Sequence, residues 1–189
     1  MGDFPGKTVY LYTGILRCPE DSHVLLRRAA AHCRAALGLP PGDLRLARAP
    51  AGKPYFPLAL ELHFSLSHSG ADWVCALSGQ PLGLDLQQPR PVDAAALARR
   101  FFHMDEAAHL QAHPEDFFRV WTAKESYVKY TGRGIAGQFA AFSVVENGVL
   151  CRDMAGVSFR FLPASGESLL CLCCQDPSDV RPALALPEE

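Results

Sequence analysis

The chain has 189 residues, of which 49% are apolar, so it can bury one sizeable core or two small cores packed together. Its net charge of −2 provides no basic field that would attract nucleic acid or anionic lipid, and we expect neither as a partner. No apolar run approaches the roughly 20 residues that span a bilayer, and the first residues lack the layout of a signal peptide. We therefore expect a cytoplasmic protein without a membrane span.

The first half of the chain is predicted to form a strand, a helix and three further strands. "TVYLYTGI" (8–15) alternates as a strand does, and "SHVLLRRAAAHCRAALG" (22–38) has a helical pattern that ends at Gly38. The connector "RAPAGKPYFP" (48–57) is rich in Pro and Gly and is expected to be irregular. Three strand-like runs follow: "LHFSLSH" (62–68), "WVCALS" (73–78) and "LGLDLQ" (82–87).

The second half is predicted to begin with helices after Asp93, around Asp105 and from Pro114. The last of these helices is expected to end at Gly132. Four strand-like runs follow: "AFSVVEN", "GVLCRD", "VSFRFLP" and "SLLCLCC". This order predicts an α+β fold with antiparallel sheets, in two similar half-domains, residues 1–90 and 91–189.

Two charged residues fall on the apolar face of the last predicted helix. Val120, Trp121 and Val128 form that face, and Lys124 and Glu125 lie three or four positions from Trp121 and from Val128. An ionised side chain that faces a core is costly unless a partner balances its charge. Both residues are therefore expected to face a specific partner.

Two polar side chains share one face of the strand "LGLDLQ". A period of two places Asp85 and Gln87 together, opposite three leucines, with Cα atoms about 7 Å apart. Oxygen-bearing side chains at that separation can reach one hard cation directly or through water. The fragment alone favours the other interpretation, an ordinary half-buried strand with a polar outer face.

Hydroxyl groups, an imidazole and backbone N–H groups meet at the end of "FSLSHSG" (64–70). Ser67 and His68 in this run are candidates to hold phosphate oxygens, as is Lys53, which lies between a glycine and a proline. Considered singly, a Ser-rich turn and a solvated surface lysine explain these features more simply.

A second candidate metal site lies in "HMDEAAHLQAHP" (103–114). Glu106 and His109 are three residues apart, and His109 and His113 are four apart, so each pair can share a helix face, with His103 just before them. Pro114 disturbs the geometry at His113, and a dedicated transition-metal site is not favoured. The seven cysteines are odd in number and form no C-x-x-C, so we expect reduced thiols.

Five short motifs follow one another in a specific order along the chain. They are "GKP" (52–54), "FSLSHS" (64–69), "GLDLQ" (83–87), "RRFF" with Glu106 behind it, and "WTAKESYVK" (121–129). In this order and spacing the sequence resembles the 4′-phosphopantetheinyl transferases of the surfactin-synthetase-activating type. The resemblance extends over roughly residues 44–150.

The resemblance implies two similar α+β half-domains related by a pseudo-twofold axis, each with a helix on a small antiparallel sheet, and coenzyme A bound in the cleft between them. It implies that the phosphopantetheine arm passes from coenzyme A to a serine of an apo acyl or peptidyl carrier protein. The other product is adenosine 3′,5′-bisphosphate. A chain with two halves needs no second copy to complete its cleft, so we expect a monomer.

The resemblance also implies the roles of individual residues. Asp85 and Glu125 would hold Mg²⁺ against the pyrophosphate, with Lys124 and Lys129 nearby, and Glu125 is the candidate base for the serine proton. The nucleotide phosphates would be contacted by Lys53, Ser67 and His68.

Two features depart from the family's pattern. Gln87 stands where the family commonly has Glu, so the expected third metal ligand is a neutral amide. The basic segment that precedes the first helix in longer members is missing, and three arginines of the first helix are its candidate replacements: Arg27, Arg28 and Arg34. A non-catalytic module that binds coenzyme A or a carrier protein is the second hypothesis, and a His/Glu metallohydrolase built on residues 103–113 is the third.

Overall fold

The computed structural model describes residues 7–134 and 139–186, which form helices and small sheets of the predicted α+β class. The helices are α1 (Asp21–Ala36), α2 (Ala94–Phe101), α3 (Met104–Ala112) and α4 (Phe117–Thr131). The strands are β1 (Tyr10–Ile15), β2 (Ala47–Arg48), β3 (Pro54–Tyr55), β4 (His63–Ser69), β5 (Asp72–Ser78), β6 (Leu82–Gln87), β7 (Val145–Glu146), β8 (Val149–Leu150), β9 (Asp153–Met154), β10 (Val157–Leu162), β11 (Leu169–Cys174) and β12 (Leu184–Ala185). None of these described helices is long and apolar enough to cross a bilayer.

Two four-stranded sheets form the centre of the structure, in the orders β12-β1-β5-β4 and β6-β11-β10-β9. All neighbours within them are antiparallel except β1 and β12. Two strands pair with strands from the other side of the predicted boundary at residue 90. The boundary itself stays a prediction. β6 precedes that boundary but pairs with β11, and β12 returns from the end of the chain to pair with β1.

The side chains divide into three hydrophobic clusters that order the layers. Alternate residues of the first sheet, such as Tyr12 and Trp73, pack against α1. The residues between them, such as Leu11, meet Leu84 and its neighbours from the second sheet. The outer face of the second sheet is covered by α4 with α2 and α3. Each sheet therefore has a helix on its outer face and the other sheet on its inner face.

Helix α4 lies directly on β6. A Cβ atom at Gly83 would be 1.9 Å from the carbonyl oxygen of Ser126, so only glycine permits this approach. The helix ends as predicted at Gly132, whose φ of 68° is left-handed and whose N–H donates to the carbonyl of Val128 at 2.9 Å. The close contact brings residues of α4 against those of β6.

Several segments differ from the sequence-based expectation, among them "GVLCRD", which is predicted as one strand but is divided between β8 and β9. The connector predicted to be irregular contains the short hairpin β2–β3, because Gly52, with a φ of 90°, allows a tight turn between Ala49 and Lys53. The run "AFSVVEN", predicted as one strand, has only Val145–Glu146 in strand conformation and begins within a one-turn 3₁₀ helix (139–141). All seven cysteines are free thiols, as expected.

Candidate functional site

A cluster of charged groups forms where α4 crosses β6. The side chains of Asp85 and Glu125 are almost fully buried there, with residue exposures of 2% and 6%. The ammonium of Lys129 donates to Asp85 Oδ1 at 2.7 Å and to Ser67 Oγ at 2.9 Å. The Ser67 hydroxyl in turn donates to Asp85 Oδ1 at 2.9 Å. Four residues that the sequence singled out thus meet at one place.

The secondary structure explains why these four side chains meet. The period of two in β6 turns its leucines into the core between the sheets and Asp85 toward α4. Glu125 and Lys129 are four residues apart and share one face of α4. Ser67 comes from β4, which runs beside β6.

The contact between β4 and β6 is made by serine side chains. Ser65 Oγ accepts a hydrogen bond from the Leu84 N–H at 2.9 Å, and Ser69 Oγ accepts one from the Gln88 N–H at 3.0 Å. The alternation of serine in "FSLSHS" therefore satisfies backbone donors of β6. This row of hydroxyls places Ser67 opposite Asp85.

The charges in this cluster are unbalanced, because two carboxylates share one ammonium. Burial and the neighbouring charge of Asp85 raise the pKa of Glu125 to about 7, although Lys129 opposes the rise. Additional positive charge beside Glu125 would favour its ionised form. Paired carboxylates that lack positive charge are a donor set suited to a hard divalent cation.

Gln87 lies on the same face of β6 as Asp85, as the strand period predicts. Its amide nitrogen donates to Asp85 Oδ2 at 2.9 Å. The structure therefore places Gln87 as a residue that orients the carboxylate. Across residues 7–134 and 139–186, no group of three or more His, Cys, Asp or Glu side chains is arranged to hold a metal.

Lys124 lies elsewhere than predicted. Its side chain is 0% exposed, and its ammonium pairs with Glu106 Oε2 at 2.7 Å and donates to the Phe142 carbonyl at 2.7 Å. Burial lowers the pKa of Lys124, while the adjacent Glu106 carboxylate opposes that change. Glu106 also accepts a hydrogen bond from the Val144 N–H at 2.7 Å. Lys124 therefore holds the C-terminal core together and stays apart from the cluster at Asp85.

The histidines near Glu106 do not form the alternative metal site. Glu106 is turned into the core toward Lys124, whereas His103 caps the start of α3 by accepting from the Asp105 N–H. His109 Nε2 lies 2.9 Å from Asp116 Oδ2, and His113 is exposed. His109 and His113 lie side by side, with ring centroids 5.0 Å apart, but Glu106 and His103 point elsewhere, so the geometry contradicts a metallohydrolase built on residues 103–113.

The remaining candidate ligands of the nucleotide occupy three different settings. Lys53 is half-buried, and its ammonium donates to backbone carbonyls at the end of α4 and the start of β6. His68 is exposed near the end of β4, and its strand position turns it to the face opposite Ser67. Arg28 is half-buried on α1, where it precedes a buried stretch.

A pocket of about 290 Å³ opens beside Glu125 and Lys129. One wall is the turn between β2 and β3, the second is the start of β4, and the third is the last turn of α4. It is lined by residues 51–54, 64–66, Glu125, Val128, Lys129, Gly132 and Gly134. The side chain of Lys129 is 28% exposed, so its charge is accessible from this pocket.

A basic pocket of about 430 Å³ lies on the other side of the same hairpin. It is lined by four basic residues, His23, Arg27, Arg45 and Arg48, and by Leu46, Ala47 and Pro54. Arg27, but not Arg28, contributes to it among the arginines proposed from sequence. The other three basic residues of the pocket were not predicted from the sequence, although Arg45 and Arg48 stand just before "GKP" and His23 is one helical turn before Arg27.

Comparisons with known proteins point to one family. Residues 81–173 match the model of the 4′-phosphopantetheinyl transferase superfamily. The chain is 38% identical to a 4′-phosphopantetheinyl transferase of Bacillus subtilis, over 66% of this chain and 59% of that protein. It is 36% identical to the 4′-phosphopantetheinyl transferase Sfp of B. subtilis strain 168, over 54% of this chain and 47% of Sfp.

A third relative is the 4′-phosphopantetheinyl transferase AcpT of Escherichia coli K12, which is 40% identical over 43% of this chain and 45% of AcpT. The chain spans about half the length of the curated relatives it matches. The matched segment includes both carboxylates of the cluster and Lys129. The predicted resemblance is thus confirmed, since residues 81–173 match the model of the 4′-phosphopantetheinyl transferase superfamily and the relatives carry that name.

Proposed function

We propose that this protein transfers the 4′-phosphopantetheine arm of coenzyme A to a serine hydroxyl of an apo acyl or peptidyl carrier protein. The observation that carries the proposal is that Asp85, Glu125 and Lys129 lie together beside an open pocket, within the segment that matches the model of the transferase superfamily. The relatives that share this segment are named for the same reaction.

The donor set supports Mg²⁺ as the cofactor. Asp85 and Glu125 would hold the ion, whose charge would balance a cluster in which two carboxylates share the ammonium of Lys129. Gln87 is the proposed neutral neighbour, either as a ligand or through its hydrogen bond to Asp85. When bound, Mg²⁺ supplies positive charge to the pyrophosphate oxygens and to the departing oxygen.

The protein's own groups support the transfer step. The serine oxygen forms a bond to the β-phosphorus of coenzyme A, and the bond from that phosphorus to the bridging oxygen of the diphosphate breaks. Glu125 accepts the serine proton, a role that requires its carboxylate in the ionised form, which the charge of a bound cation would favour. Lys129 lies where its ammonium can stabilise negative charge on the phosphoryl oxygens. Adenosine 3′,5′-bisphosphate leaves.

The basic pocket supports binding of the nucleotide half of coenzyme A. Pro54 lines both this pocket and the pocket at Glu125, so one extended ligand can reach from one to the other. Arg27 and Arg48 provide charge for phosphate oxygens in a protein whose overall charge is −2. Ser67 and His68 are proposed to contribute from β4.

The wider setting of the reaction is also proposed. We expect a cytoplasmic monomer whose two halves, each a sheet with a helix on its outer face, are related by a pseudo-twofold axis. The site would then lie in the cleft between the halves, where α4 and β6 meet the β2–β3 hairpin.

Gln87 favours a second candidate, a module that binds coenzyme A or a carrier protein without catalysis. Its neutral amide leaves the cluster with two carboxylates in place of three. Such a module would retain the pockets and lose the transfer step.

Intact-mass analysis separates the two candidates. A panel of apo carrier proteins is incubated with this protein, coenzyme A and Mg²⁺, and the Asp85→Asn variant is the matched control. We expect one carrier to gain the mass of one phosphopantetheine group with the wild type only. Binding of coenzyme A without a mass gain on any carrier would favour the module.

A further inference from the structure

Lys53 connects three segments that surround the carboxylate cluster. Its ammonium donates to the carbonyl oxygens of Lys129 at 2.5 Å, Tyr130 at 3.2 Å and Leu82 at 3.3 Å. The first two carbonyls belong to the last turn of α4, and the third belongs to the first residue of β6. Lys53 itself lies in the turn between β2 and β3.

This arrangement is favourable for physical reasons that do not depend on a ligand. The last carbonyls of a helix have no intrahelical partners and carry the negative end of the helix dipole. An ammonium placed among them donates hydrogen bonds to these carbonyls and balances the negative end of the dipole. Gly132 leaves the space for it, because a Cβ atom there would be 3.0 Å from Lys53 Cδ.

The three contacts use all of the donors that Lys53 has. An ammonium carries three hydrogens, and three carbonyl oxygens lie within hydrogen-bond distance of this one. The predicted contact of Lys53 with a nucleotide phosphate would therefore require one of these bonds to break. The structure favours a different role.

We propose that Lys53 is a positioning residue that holds the last turn of α4 and the start of β6 together and thereby keeps Lys129 against Asp85. Lys129 is the link, because its carbonyl accepts from Lys53 while its ammonium donates to Asp85 and Ser67. Leu82 is three residues from Asp85 on the same strand. This inference rests on the proposed function, since it assigns Lys53 a part in the same transfer.

Loss of the connection made by Lys53 and loss of a phosphate ligand have different, measurable consequences. Loss of a phosphate ligand weakens coenzyme A binding and leaves α4 unchanged. Loss of the connection loosens the last turn of α4 even without coenzyme A, and it lowers kcat because Lys129 is displaced. The two roles therefore differ in kcat against KM and in the hydrogen exchange of the ligand-free protein.

The test compares Lys53→Met with the wild type and with the control Lys7→Met, whose ammonium is exposed and lies 3.4 Å from Asp176. Amide hydrogen exchange is measured on ligand-free protein for residues 128–132, and kcat and the KM for coenzyme A are measured with a carrier protein. For Lys53→Met we expect about tenfold faster exchange and a kcat lowered by about tenfold, since hydrogen bonds to a charged group are lost. The KM for coenzyme A should change by less than about twofold, because a positioning residue does not itself bind coenzyme A.

Each other outcome has a clear meaning. Unchanged exchange in Lys53→Met, or a raised KM with unchanged kcat, would overturn the positioning role. Lys53→Arg, which keeps a cation, should retain slow exchange and most of kcat, and its failure to do so would also count against the role. If wild-type protein modifies no carrier while the exchange of Lys53→Met is faster, the proposed function fails and the connection made by Lys53 stands.

Discussion

Helix α4 carries two lysine–carboxylate groups that differ in how their charges are balanced. Lys124 and Glu106 form a one-to-one pair in which both side chains are 0% exposed. Lys129, only five residues further, serves both Asp85 and Glu125 beside an open pocket. The first pair is balanced within the protein, whereas in the second group two carboxylates share one ammonium.

The difference shows how one helix can be both a core element and part of a site. The ion pair of Lys124 joins α4 to α3 and to the chain around Phe142 and Val144. With that side of the helix secured, a neighbouring side can hold the unbalanced set of charges at the pocket. The following variants test this division, from the largest expected effect to the smallest.

Lys124→Met is expected to destabilise the protein most, because it leaves the Glu106 carboxylate buried without its partner. Breaking one side of a buried ion pair costs about 3–5 kcal/mol in the free energy of unfolding. Urea denaturation provides the measurement. The double variant Lys124→Met, Glu106→Leu should recover much of the loss, and equal destabilisation of single and double variants would contradict the pairing.

Asp85→Ala and Glu125→Ala are expected to lower transfer by at least about a hundredfold, since each removes a charged oxygen ligand of the proposed cation. Neither side chain provides apolar packing, so the circular dichroism spectrum should be unchanged. The readout is the mass of the carrier protein. Asp105→Ala, on the exposed start of α3, is the control and should be fully active. Wild-type-like turnover in either site variant would refute the metal assignment.

The stability of the Mg²⁺-free protein is expected to fall as the pH rises from about 4.5 to about 7. The pKa of Glu125 is raised from 4.5 to about 7 in the folded state, so the folded protein binds this proton more tightly than the unfolded chain does. The stabilisation from the proton is complete below pH 4.5 and is lost through pH 7, by up to about 3 kcal/mol.

Unfolding in urea at pH 5 and pH 8 measures this change. Glu125→Gln should reduce the pH dependence, because it keeps the shape of the side chain without a titrating proton. Added Mg²⁺ should raise the free energy of unfolding of the wild type at pH 8. A wild type and a Glu125→Gln variant with the same pH dependence would show that this carboxyl does not titrate as described.

Arg48→Ala is expected to weaken coenzyme A binding by about 1.5–3 kcal/mol, the value of a hydrogen bond to a charged group. Calorimetric titration with coenzyme A and with dephospho-coenzyme A provides the test. The defect should be smaller with the dephospho form if the basic pocket holds the 3′-phosphate. Arg152→Ala, outside both pockets, is the control, and equal effects of the two variants would remove the basic pocket from the site.

Gln87→Glu is expected to have the smallest effect, a shift of activity to lower Mg²⁺ concentrations. It adds a negative oxygen ligand on the face of β6 that carries Asp85. Gln87→Ala should be much milder than Asp85→Ala, because water can replace a neutral amide. Activity measured against Mg²⁺ concentration decides both points. An unchanged Mg²⁺ requirement in Gln87→Glu would place residue 87 away from the cation.

Patterns that depend on neighbours in the chain were predictable. The alternation in "LGLDLQ" places Asp85 and Gln87 on one face, and Gly132 ends α4 as expected. The order of five motifs indicated the superfamily whose model residues 81–173 match. The β2–β3 hairpin was not predictable, because two-residue strands leave no periodic pattern and depend on the turn at Gly52.

The sequence by itself determined which residue types were available and how they are spaced on each strand and helix, because backbone geometry sets those periods. Only the tertiary structure decided what each residue faces. Lys124 and Glu125 are adjacent on a helix that is covered from several sides, so periodicity could not say which one faces the pocket. The path of the chain between α1 and β2 likewise decided that Arg27 and Arg48 share a pocket. Contacts of this kind depend on packing between segments far apart in the chain, and local periodicity carries no information about that packing.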